Sequence, residues 1–192
     1  MIKQKITNIL LYTFILILLI NCKSELKPEK KVEQFISELN LTENLNIFTS
    51  KMTDKDTLKI IVNLTMENWI RVDELTITRL NDEIQLLTTE KRYSELENQK
   101  PILKKNFNLI ILNNKNNEFE KHFYEQIDRI KEGNKYQWIY KVISQKDTLT
   151  FHTTDLGDKG IQVEKYFEFM TKLYPNENDF KPLEKRLLFS DK

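Results

Sequence analysis

Glu118, His122, Glu125 and Arg129 recur at spacings of three and four, which on a helix brings their side chains to one edge. Two carboxylates and an imidazole are the donor types of a divalent-metal site. From one helix they supply at most three ligands, without the paired histidines or the facing carboxylate helix that such sites use. The expectation is therefore an exposed edge of ion pairs, with no metal or other cofactor assigned. His152 lies close in sequence to Asp155 and Asp158, the pieces of an acid–base pair, but a lone strand histidine is expected to serve the structure. No catalytic residue is assigned. Trp69 and Trp138, with Phe151, Phe169 and Phe180, have flat faces suited to sugar rings; in a chain with 10% aromatic residues their expected work is filling the core.

Several chemistries lack their material. Only three glycines occur, Gly133, Gly157 and Gly160, so a glycine-rich loop that brings backbone amides up to a phosphate is not expected. There is no Gly-x-Ser-x-Gly elbow and no His-Glu-x-x-His pair. Cys22, the single cysteine, excludes an internal disulfide, a cysteine-based zinc site and a two-cysteine redox motif. Thirty Lys and Arg against 29 Asp and Glu leave a net charge of +1, with the signs interspersed, so no nucleic-acid partner is expected. Lys104 and Lys105 read as a solvated strand end.

The candidate side chains need a frame to hold them. A chain of 192 residues, 40% apolar and 31% charged, can bury a core, and one folded domain is expected over 31–192. Val32, Phe35, Ile36 and Leu39 mark one face of a short helix ending near Asn40. Runs at Leu58–Leu64, Leu75–Leu80 and Glu83–Thr88 read as strands, the last two joined at Asn81-Asp82 by a tight turn. Phe107–Leu112 reads as a further strand. Phe119, Phe123, Ile127 and Ile130 stripe a helix over Glu118–Lys131 that Gly133 stops. Tyr136–Ser144 and Thr148–Thr153 form a second hairpin. Val163, Tyr166, Phe167, Met170, Leu173 and Tyr174 then stripe the clearest helix, capped at Asp155 or Asp158 and ended by Pro175. The expected class is α+β: a mainly antiparallel sheet of five to seven strands with two or three amphipathic helices packed on it.

The amino terminus reads as an address. Lys3 and Lys5 precede an apolar run from Ile6 to Ile20, whose 15 residues would make a helix roughly 22 Å long against a hydrocarbon core of about 30 Å. That run is short for a span. Leu19-Ile20-Asn21-Cys22 follows it and resembles the lipobox of bacterial lipoproteins. The resemblance covers the targeting segment alone, and it departs from the usual pattern at Asn21, where a small residue is the rule. It implies removal of a signal peptide over 1–21 and acylation of Cys22, palmitate among the chains, on a residue that then starts the mature protein. Two or three acyl chains, at about 0.8 kcal/mol per buried methylene, make such an anchor effectively permanent. Residues 22–30, polar and broken by Pro28, form a tether whose last eight residues reach at most about 28 Å.

The expected protein is thus a lipid-anchored lipoprotein of the bacterial cell envelope, in the outer membrane if the cell has one and otherwise on the outer face of the plasma membrane. Its domain is expected to be a non-catalytic module for a protein, glycan or small ligand. An immunity-type lipoprotein against an exported toxin is the alternative, and a carboxylate-dependent enzyme a more distant one. Lys55-Asp56-Thr57-Leu58 and Lys146-Asp147-Thr148-Leu149 repeat one another and are expected to open strands through shared turn chemistry. Their Asp-Thr-Leu tripeptides also resemble the acceptor of an O-glycosylation system of some envelope-bearing bacteria, which would make Thr57 and Thr148 the modified residues.

Overall fold

The computed structural model describes residues 37, 39–66, 70–93, 101–112, 115–132 and 134–181, all within one compact unit, Phe35–Lys192. The signal peptide, Cys22, the tether, the helix expected around Val32 to Ile36, Trp69 and Gly133 lie outside the described residues.

Alternation builds the sheet. In β1 (Thr57–Asn63), Leu58, Ile60 and Val62 point inward and are fully buried while their neighbours face outward. β2 (Arg71–Leu80) and β3 (Glu83–Arg92) keep the same period, in perfect antiparallel register from Arg71 opposite Arg92 to Leu80 opposite Glu83. Asn81 and Asp82 join them with φ of 49° and 64°, the left-handed pair a two-residue hairpin needs. Both types tolerate that backbone because a short polar side chain bonds locally; Asp82 accepts a hydrogen bond from Arg79 Nη2 at 3.1 Å.

The run expected as one strand at Phe107–Leu112 is two short ones. β4 (Leu103–Asn106) and β5 (Ile110–Ile111) both pair with β3, and four steps from Asn106 to Ile110 face three from Thr89 to Leu86. The extra residue is a bulge, and it turns the Phe107 ring into the core against Phe180 (4.5 Å) and Tyr174 (5.8 Å). β6 (Asn134–Ile143) and β7 (Thr148–Thr153) close the sheet, with register shifts between Asn134 and Trp138 and between Trp138 and Tyr140. The seven strands run in the order β4-β3-β2-β1-β6-β7, β5 beside β3, and every pairing is antiparallel.

Helices cover one face. Asn40 ends no described helix; it caps α1 (Leu41–Asn44), accepting from Thr42 N at 3.1 Å, and α2 (Phe48–Lys51) follows. The helix expected over Glu118–Lys131 is α3 (Asn116–Tyr124), a tight turn, and α4 (Arg129–Glu132). Through the turn, Gln126, Ile127, Arg129 and Ile130 donate their amides three residues back instead of four. α5 (Leu156–Leu173) is the expected long helix, with Asp155 as its cap through Asp158 N at 2.8 Å. The fold is α+β, a mainly antiparallel sheet with α3 and α5 packed on it. Phe119 and Phe123 of α3 and Tyr166, Phe167, Met170 and Leu173 of α5 meet the inward residues of the sheet in one core. Apolar surface removed from water stabilises such a core by about 25 cal/mol per Å², and the rings of Phe119, Phe123, Tyr166 and Phe167 are among its largest fully buried side chains.

Candidate functional site

α3 and α5 leave a groove of about 390 Å³ between them. From α3 and its following turn come Glu118, Lys121, His122 and Glu125; from α5 come Lys165, Glu168, Phe169 and Lys172. The structure therefore brings together three of the four residues singled out on the α3 edge. Arg129 departs from them, because the tightened turn at 125–128 shifts the helical phase before it is reached.

His122 forms the floor. Its ring stacks on Phe169, centroids 4.2 Å apart and 10° from parallel, and its Nε2 lies 3.0 Å from the Tyr140 hydroxyl. The tyrosine O–H donates to that nitrogen in the tautomer protonated at Nδ1. Burial, and then the positive charges of Lys165 and Lys172, lower the imidazole from its ordinary 6.5 to about 4. Burial also raises the Tyr140 hydroxyl above its usual range. At neutral pH His122 is an uncharged aromatic plate whose Nε2 lone pair is taken up by the Tyr140 hydroxyl. Among the described residues no three His, Cys, Asp or Glu side chains converge as a metal site would require. The groove can bind. Its rim offers lysines and glutamates in equal number over an aromatic base, which suits a ligand with both signs of charge.

His152 and the two aspartates near it do not form an acid–base pair. His152 Nδ1 faces the Gln137 carbonyl at 3.3 Å, and Asp155 caps α5. Asp158 takes the guanidinium of Arg129 bidentately, at 2.6 and 2.9 Å, and accepts from Thr154 N at 2.9 Å. Arg129 above all, joined by the Thr154 amide, holds the Asp158 carboxyl down to about 2. This pair ties α4 to the start of α5. Phe151, Phe169 and Phe180 are buried in the core, as expected, whereas Trp138 is half-buried with Lys141 Nζ 4.4 Å from its ring centre. Thr57 and Thr148 are exposed and each opens a strand.

One cluster went unread in the sequence. Arg71, fully buried, binds Asp73 bidentately at 2.7 and 2.8 Å, meets Glu90 at 3.3 Å, and donates to the Asp179 carbonyl at 3.3 Å. Its guanidinium lies 5.3 and 5.5 Å from the rings of Phe167 and Phe180. Tyr166 donates its hydroxyl to Asp73 at 2.8 Å, and Arg92 bonds the far oxygen of Glu90. Desolvation pulls the Arg71 pKa down, but Asp73 and Glu90 outweigh it and leave the guanidinium more firmly charged than in water. The signal was available: the inward period of Leu75 and Ile77 runs back to Asp73 and Arg71, and that of Ile84 and Leu86 runs forward to Glu90. Charges on the core side of two paired strands require one another.

No helix of the described residues is long and apolar enough to cross a membrane. No family model matches the chain, and neither a curated protein nor a solved structure does.

Proposed function

We propose that the protein is a lipid-anchored lipoprotein of the bacterial cell envelope whose domain is a binding module without catalytic activity. The observation that carries this reading is Leu19-Ile20-Asn21-Cys22 behind a basic start and an apolar run, with Cys22 the chain's one thiol. The groove between α3 and α5 is the binding site, for a small ligand or peptide segment bearing both amino and carboxylate groups. Two features support a role without catalysis. His122 is neutral and committed to Tyr140, and the strongly held carboxylates, Asp73, Glu90 and Asp158, are engaged by arginines.

The anchor is tested by growing the native host with radiolabelled palmitate. The wild-type chain should take up label and Cys22→Ser should not; equal labelling of the two sinks the proposal. Thr57 and Thr148 are proposed as glycan acceptors. The native protein should then exceed its acylated mass by whole sugar residues, and Thr57→Val with Thr148→Val should remove the excess. A native mass without sugar rejects the modification and leaves the anchor standing.

A further inference from the structure

The chain is nearly neutral, yet among the described strands the outward sheet face carries four lysines against two acids. No described helix packs on the outward face of the sheet, and register places Lys59, Lys91, Lys104 and Lys141 on it. Lys104 of β4 stands directly opposite Lys91 of β3. Lys91 and Lys59 both bond Glu74 of β2, Lys59 at 2.8 Å. Lys141 of β6 stands beside Ile61 of β1, which itself faces Glu74. The four lysines thus form one band across β4, β3, β2, β1 and β6, with Glu74 the acid inside it. Glu83, the other acid that register puts on this face, is at the hairpin tip, eight residues and roughly 27 Å along β3 from Lys91.

Like charges directly opposite one another destabilise a sheet. Nothing in the packing demands Lys104 across from Lys91, since both project away from the core. Glu74 answers Lys59 and Lys91, whereas register places no acid of the described strands opposite Lys104 or Lys141, and an anion outside the sheet would complete those two. Trp138, half-buried beside Lys141, adds a ring of the kind that settles at a headgroup boundary, and Ile61, Leu87 and Val72 lie between the charges.

We infer that the outward sheet face docks on an anionic phospholipid surface, the band of Lys59, Lys91, Lys104 and Lys141 meeting lipid phosphates while Trp138 enters the headgroup layer. This rests on the anchor reading above. The chain from Cys22 to Ser37, the first described residue, reaches at most about 53 Å, so an acylated Cys22 holds the domain where a bilayer is its most concentrated neighbour. That proximity favours lipid over an acidic protein as the occupant. The groove between α3 and α5 lies on the helical side of the sheet and stays open to solvent.

The test reconstitutes the full native chain into vesicles of phosphatidylcholine, with or without phosphatidylglycerol, and follows amine labelling of each lysine by mass spectrometry. Adding the anionic lipid should slow labelling of Lys104 and Lys141 by about threefold or more relative to the groove lysines, Lys121, Lys165 and Lys172. Raised salt should abolish the difference. In Lys104→Glu with Lys141→Glu, protection of Lys59 and Lys91 should vanish. Equal labelling in both vesicles overturns the inference. Protection found only in native envelope fractions overturns it too and assigns the face to an acidic macromolecule. The same digest reports the mass at Cys22: a bare thiol there speaks against the anchor, while the lysine pattern speaks to the sheet face.

Discussion

His122 shows how far environment outweighs residue type. A histidine flanked at helical spacing by two glutamates invites a metal or a proton, yet the ring is held between Phe169 and Tyr140, and burial fixes it neutral. Its folded pKa, about 4, lies below its ordinary 6.5, so the unfolded chain binds more protons between those values. The stabilisation is complete above pH 6.5 and is lost as the pH falls through 4. After screening by water in the groove, the loss amounts to about 2 kcal/mol. Proton NMR should show the His122 ring titrating near 4, and His122→Phe should flatten this part of the urea stability profile. A titration near 6.5 would show the ring open to solvent and remove the plate from the floor of the groove.

At the scale of elements, one ion cluster fastens α5 to the sheet through Tyr166 and Asp73, and another ties α4 to the start of α5. Arg71→Met leaves Asp73 and Glu90 buried with half their partners, which costs about 3–5 kcal/mol, a large share of a typical domain stability. Chemical denaturation should show a loss of unfolding free energy of that size; a loss below about 1 kcal/mol would mean the network is not closed off from water. Arg129→Leu should cost about 1–3 kcal/mol, because Asp158 loses a bidentate partner at the start of α5. The Asp158 pKa of about 2 lies below its ordinary 3.8, so this contribution is present above pH 3.8 and disappears as the pH falls through 2. Arg129→Leu should therefore be less sensitive to acid over that window than wild type. Periodicity made the strands and α5 legible, since the alternation of Leu58, Ile60 and Val62 and the stripe from Val163 to Leu173 each fit one geometry. It failed where geometry changes without a change of pattern. The turn at 125–128 contains neither Gly nor Pro, and the bulge before Ile110 sits inside an apolar run. Arg71, Asp73 and Glu90 escaped because polar side chains are read as outward unless the apolar period beside them is extended through them.

At the scale of the molecule, the sheet separates two kinds of surface. One side carries the helices, the core and a groove with balanced charge; the other carries lysines in excess. For a chain whose total charge is +1, such segregation gives the domain a preferred orientation beside a charged boundary. The amino-terminal lipid proposed above would make that orientation consequential, keeping the lysine face near phosphates and the groove available to ligand. The account stands or falls on whether the chain is processed at Cys22. The most direct measurement is mass spectrometry of the amino-terminal peptide of protein taken from native membranes. The account predicts a peptide that starts at Cys22 and carries a diacylglyceryl thioether, with no trace of residues 1–21. A peptide that retains Met1 through Asn21 ahead of a free Cys22 thiol would contradict it.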